Sequence, residues 1–206
     1  MLPRNAKVII SIALSISAVI LYLALGGEER KKCMIGMIVC TLGDLFMVNL
    51  FGLGDVSTYP GAGLFMLGHV IYALGFIKAG KRKGYTLNNK GFKFGVGLTV
   101  FAALLLGILA FTVPEVPQTI MYFLILIYIA VIGFNLSIQF SYAINEKGSR
   151  YWLIVAMTLF LLSDFVIFLN MLDITVAHND FVWATYIPAQ ALIVFFNQEL
   201  KKSNKN

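Results

Sequence analysis

Apolar residues fall in seven long runs, at about residues 8 to 26, 33 to 53, 61 to 79, 93 to 113, 117 to 143, 151 to 172 and 180 to 197. Each is close to the ~20 residues that a helix rising ~1.5 Å per residue needs to cross a bilayer core. The breaks between runs carry turn and charge chemistry: Gly26-Gly27 followed by Glu28 to Lys32, Asp55 to Pro60, Lys78 to Asn89, Pro114 to Pro117, Asn145 to Arg150, and Asp173 to Asp180. The pattern predicts an all-α, polytopic membrane protein, with residues 1–206 forming one domain of seven transmembrane helices.

Composition sharpens this. The chain is 59% hydrophobic and 13% charged, against about 25% charged in soluble domains, which excludes a water-soluble enzyme. The net charge of +6 does not point to nucleic acid, because the basic residues punctuate apolar runs instead of forming an interleaved basic and aromatic surface. Their placement predicts topology. Fourteen Lys and Arg residues lie on one side, in the breaks at 30–32, 78–93 and 147–150 and at the end of the chain, whereas Arg4 and Lys7 alone lie on the other. Basic loops stay in the cytoplasm, so the N-terminus is expected outside and the C-terminus inside, in a multi-pass protein of a bacterial cell membrane. A cleaved signal peptide ending near Ala24-Leu25-Gly26 would leave Arg30 to Lys32 outside, against the same rule. Cys33 and Cys40, seven residues apart on one helix, are about 10 Å apart and too far for a mutual disulfide.

Ionisable groups inside apolar helices are costly and mark function by default. Three stand out: Asp44, His69 and Asp164. Counted from predicted outer helix ends at Leu53, Gly61 and Leu172, all three are expected at roughly 12 to 14 Å depth. Tyr186 and Gln190 form an i, i+4 pair on helix 7 that brackets this level, Tyr72 sits one turn beneath His69, and Asn49 and Asn170 lie nearer the outer mouth. A polar layer from helices 2, 3, 6 and 7 follows, with Asp44, Asp164 and His69 as catalytic candidates and Tyr72, Tyr186, Gln190, Asn49 and Asn170 as substrate-binding candidates. A purely structural hydrogen-bonded network is the plainer alternative. Asn135 and Gln139 on helix 5 are expected away from the layer, as interhelical glue. Two carboxylates and one His could ligate iron, but no second His or thiolate lies at that depth, and no metal or cofactor is expected. Cys40 and Ser163 read as packing residues.

Leu42-Gly43-Asp44-Leu45-Phe46 echoes Leu162-Ser163-Asp164-Phe165-Val166 on helices of the same direction, which suggests a parallel repeat with helix 4 as linker, a 3+1+3 plan. The segments Leu42-Gly43-Asp44, His69-Val70-Ile71-Tyr72, Leu162-Ser163-Asp164 and Thr185-Tyr186-Ile187-Pro188-Ala189-Gln190 also carry, in order across about residues 35 to 197, a resemblance to the YhhN family, whose animal, TMEM86-like members are lysoplasmalogenases. Many members resemble eight-span proteins, whereas seven spans are expected here.

The resemblance implies a lysophospholipid substrate whose vinyl ether is cleaved to a fatty aldehyde and a glycerophospho-alcohol. Such hydrolysis protonates the carbon β to oxygen and lets water attack the resulting oxocarbenium ion. Two carboxyls suit it, one as acid and one ionised beside the cation, as in glycosidases, with His69 bonded to one of them or activating the water. The rival reading is a proton-coupled transporter that uses the same Asp and His residues, with Pro188 interrupting helix 7. A retinal protein is excluded, because residues 181–197 contain no lysine for a Schiff base.

Overall fold

The computed structural model describes residues 3–112, 119–146, 150–171 and 179–196. Seven α-helices form there: α1 (Arg4–Leu25), α2 (Glu28–Met47), α3 (Thr58–Arg82), α4 (Lys90–Thr112), α5 (Thr119–Asn145), α6 (Arg150–Met171) and α7 (Asn179–Phe196). A 3₁₀ turn, Gly54–Ser57, precedes α3. Five helices contain a segment long and apolar enough to cross a membrane: Arg4–Leu25, Thr58–Arg82, Lys90–Leu109, Phe123–Asn145 and Trp152–Asn170. Large apolar side chains face outward along them, as on α1, where Ile9 is 65% and Leu23 74% exposed; surface of this kind is stable only against lipid or protein. The chain is therefore a multi-pass membrane protein by its helices.

The expected bounds are revised at α2. α2 begins inside the charged run Glu28 to Lys32 and ends at Met47, six residues short of the predicted Leu53. The apolar run does continue through Val48, Leu50, Phe51 and Leu53, but the backbone turns. Asn49 takes a left-handed conformation at φ 53°, and Gly52 and Gly54 follow at φ 70° and 63°. The Leu50 N–H reaches back to the Leu45 carbonyl at 3.0 Å, the bond that closes a helix end of this type. α7, described over Asn179–Phe196, coincides with the expected run 180 to 197.

α2 and α3 pack antiparallel through small residues at seven-residue spacing. Gly75, Gly68 and Gly61 of α3 face Cys33, Cys40 and Met47 of α2, while Gly36 of α2 meets the Tyr72 ring. A Cβ built on Gly68 would lie 2.4 Å from the Cys40 sulfur, and one on Gly36 2.7 Å from the Tyr72 ring. Glycine is thus required for this approach, which fixes the register of α2, the helix that carries Asp44, along α3. Cys33 and Cys40 are free and buried, knobs in glycine-lined holes. α1 packs on α2 and on α7, α6 on α5 and α7, and α4 on the outside of α5.

Polar contacts tie the end opposite the α1 N-terminus. The buried Arg30 guanidinium donates to the carbonyls of Leu25 and Gly26 at 3.0 and 2.6 Å, satisfying the open end of α1. Arg82 pairs with Glu29 at 3.0 Å. Lys83 pairs with Glu146 at 2.6 Å, and Tyr85 donates to the same carboxylate at 3.2 Å; partial burial and that carboxylate raise the Tyr85 phenol above its ordinary pKa.

Candidate active site

α1, α3 and α7 begin, and α2 and α6 end, around the mouth of one cavity of about 580 Å³, within the usual size of a small-molecule site. Asp44 of α2 and Asp164 of α6 both line it, and both are almost wholly buried. They differ in partners. Asp44 Oδ2 accepts from the Tyr186 hydroxyl at 3.0 Å, whereas Asp164 Oδ2 has no partner in the protein. Asn170 lines the same cavity with its Oδ1 unpartnered.

Behind Asp44 runs a directed chain of hydrogen bonds. Tyr72 of α3 donates to Gln190 Oε1 at 2.9 Å, Gln190 Nε2 donates to the Tyr186 oxygen at 3.1 Å, and Tyr186 gives its own proton to Asp44. The amide nitrogen can only donate, so with Gln190 held in this sense by Tyr72 the Tyr186 hydrogen points at the carboxylate. Tyr186 is wedged by the rings of Phe65, Phe160 and Trp183, at centroid distances of 5.8, 5.3 and 5.7 Å. Four expected residues, Asp44, Tyr72, Tyr186 and Gln190, are thereby joined, although Tyr72 and Gln190 stand behind the wall and do not line the cavity.

Two expected residues stand elsewhere. His69 bonds neither carboxyl. Its Nδ1 lies 2.8 Å from the amide nitrogen of Asn135, whose Oδ1 accepts from Gln139 at 3.0 Å. An amide donor makes Nδ1 the acceptor, so the imidazole proton sits on Nε2, which has no hydrogen-bond partner. The ring stands edge-on to Phe160 at 4.4 Å. The expectation of one shared depth fails for a physical reason: Asp44 lies in the last turn of α2, while His69 is about three turns into α3. Asn135 and Gln139, expected apart from the layer, are the residues that hold His69. Asn135→Ala should cost roughly 1–3 kcal/mol by stripping the buried Nδ1 of its donor; unfolding in detergent checks this, and unchanged stability would show the bond to be dispensable.

Asn49 is likewise a turn residue. Its Oδ1 accepts from the Gly54 N–H at 3.1 Å and its carbonyl accepts from Arg4 at 2.5 Å. Ser163 lines the cavity but its hydroxyl donates to the Val182 carbonyl at 3.2 Å, joining α6 to α7. The sequence reading counted Arg4 and Lys7 only as topological charges, yet both line the cavity. Arg4, Lys7 and Ser11 follow one another at three and four residues along a mostly apolar helix, and that spacing is the available signal.

No curated protein and no solved structure matches the chain. The model of the YhhN family matches residues 5–196, a span that contains both carboxyls and every cavity-lining residue except Arg4, and the chain accordingly belongs to the YhhN family.

Proposed function

We propose that this protein is an intramembrane hydrolase that cleaves the vinyl ether of lysoplasmalogens, with Asp164 as proton donor and Asp44 as the ionised partner. Membership of the YhhN family is consistent with such a role. The observation that carries the reading is the unequal carboxyl pair on one cavity: Asp44 engaged by Tyr186, Asp164 with a free Oδ2 facing the cavity. Asp164 also borders a narrow apolar recess formed with Ala62, Tyr128 and Phe168, so it stands where a polar mouth meets apolar walls, as the vinyl ether of a lysolipid stands between headgroup and chain.

In this mechanism the Asp164 proton adds to the carbon β to the ether oxygen. The oxocarbenium ion forms beside Asp44, which stabilises it and accepts a proton from the attacking water. The hemiacetal then collapses to aldehyde and glycerophospho-alcohol, one water being consumed, and the proton taken up by Asp44 passes back to Asp164 through cavity water to close the cycle. Tyr186 holds Asp44 in place and Gln190 and Tyr72 hold Tyr186; His69, fixed by Asn135, packs the Phe160 ring behind them. Tyr186→Phe should lower turnover roughly 10- to 100-fold, in line with loss of a hydrogen bond to a charged group, with the fold kept; undiminished turnover would remove Tyr186 from the mechanism.

The test is incubation of the purified protein in detergent with a lysoplasmenyl lipid and its saturated-ether and ester analogues, with free aldehyde read by mass spectrometry. Aldehyde from the vinyl ether alone is expected. A proton-coupled carrier would turn nothing over without a gradient, and absence of aldehyde from folded protein would sink the hydrolase.

A further inference from the structure

α1 is apolar on the side that faces outward, where Ile9, Ile12, Ile16, Ile20 and Leu23 are exposed. On the side facing the bundle it carries Arg4, Lys7, Ser11 and Ser15 at helical spacing. Ser15 bonds Thr41 at 2.8 Å and has an interhelical role. The other three lead from the mouth to the carboxyls: Arg4 and Lys7 line the cavity, and Ser11, buried, adjoins Asp44. A lysine at a helix end ordinarily extends its ammonium into water. Lys7 instead turns inward, its side chain 14% exposed, 3.9 Å from Asp180 and 5.3 Å from the centre of the Trp183 ring. Arg4 and Lys7 are the cations that line the cavity among the described residues, above a floor where Asp164 Oδ2 has no hydrogen-bond partner in the protein.

We propose that Arg4 and Lys7 form a phosphate subsite that takes the phosphodiester of a lysophospholipid headgroup, an assignment that rests on the hydrolase reading for the rest of the ligand. Four residues of α1, about 6 Å along its axis, separate Lys7 from Ser11, a step that a glycerol backbone bridges. A phosphate held by the two cations therefore leaves the group on the first glycerol carbon beside Asp44 and Asp164. Selection for an anionic head follows from the two cations.

The experiment measures binding with probes that the chemistry cannot consume. In a Trp152→Phe background, Trp183 fluorescence reports titration with a 1-O-alkyl lysophospholipid, the matching 1-O-alkylglycerol, and inorganic phosphate, all in the same detergent. The expected result is that the lysophospholipid binds at least about tenfold more tightly than the alkylglycerol, that Arg4→Gln and Lys7→Gln each weaken it about tenfold, as loss of a charge-assisted contact does, and that Arg4→Lys restores most of the difference. The alkylglycerol should shift less than about twofold in each variant. Equal affinity for the two lipids, or no change in Arg4→Gln, overturns the subsite. A response to inorganic phosphate with no preference for the lysophospholipid overturns its assignment to a headgroup. Arg4-dependent binding without aldehyde release would remove the hydrolase and leave the subsite, whereas aldehyde release indifferent to Arg4 would do the reverse.

Discussion

Asp44→Asn and Asp164→Asn are each expected to cut aldehyde release by about 10²- to 10⁴-fold, the usual contribution of a positioned acid or base. Asparagine keeps the size of the side chain and can still accept from Tyr186 at position 44, so the helices should remain packed. The two substitutions should not add. A proton donor without its ionised partner, or the partner without a donor, leaves the same uncatalysed step, and the double variant should be little worse than either single one. Rates for the three variants and the parent, with unfolding profiles in detergent alongside, decide the matter. Residual activity near the parent level in either single variant would take that carboxyl out of the chemistry.

Gly68→Ala is the second large effect. Its new Cβ would lie 2.4 Å from the Cys40 sulfur and 3.2 Å from the Gly36 carbonyl oxygen, so α2 and α3 must separate or distort, at a cost of about 1–3 kcal/mol. Because α2 carries Asp44 and α3 carries Tyr72, activity should fall with stability. Cys40→Ala in the same chain removes the sulfur that the methyl meets and should recover much of the loss, a coupling that two independent effects would not show. An unchanged unfolding midpoint in Gly68→Ala, or no recovery in the double variant, would contradict the close glycine packing.

Hydrophobic run lengths were enough to place seven helices, because a lipid-facing surface must be apolar nearly all round and polar breaks are then conspicuous. Their ends were less legible where apolar residues persist beyond the helix. Val48, Leu50, Phe51 and Leu53 extend the run, but the Asn49, Gly52 and Gly54 backbone turns it, and these turn residues are the signal that the hydropathy of the run conceals. That shift of six residues moved Asp44 into the last turn of α2 and broke the equal-depth argument for His69.

The carboxyls themselves were legible for a simple reason: an ionisable group in an apolar helix has few structural excuses. Partner choice was not. Whether His69 meets Asp44, Asp164 or Asn135 depends on how far each helix is shifted along its neighbours, which no single helix encodes. Arg4 and Lys7 were hidden differently, since the same two charges that serve a topology argument also line the cavity, and the inward turn of Lys7 over Trp183 shows what their helical spacing with Ser11 only hinted at.

Acid-catalysed cleavage of a vinyl ether inside the helix bundle leaves a solvent hydrogen in the product, and reaction in deuterated water reads it. With a lysoplasmenyl lipid and the purified protein, the released aldehyde should carry one deuterium on the carbon next to its carbonyl, because the donor has exchanged with solvent and delivers its deuteron to that carbon. The label should vanish with the activity in Asp164→Asn. Aldehyde without that deuterium, or a lysoplasmenyl lipid recovered intact from folded protein, would contradict the account.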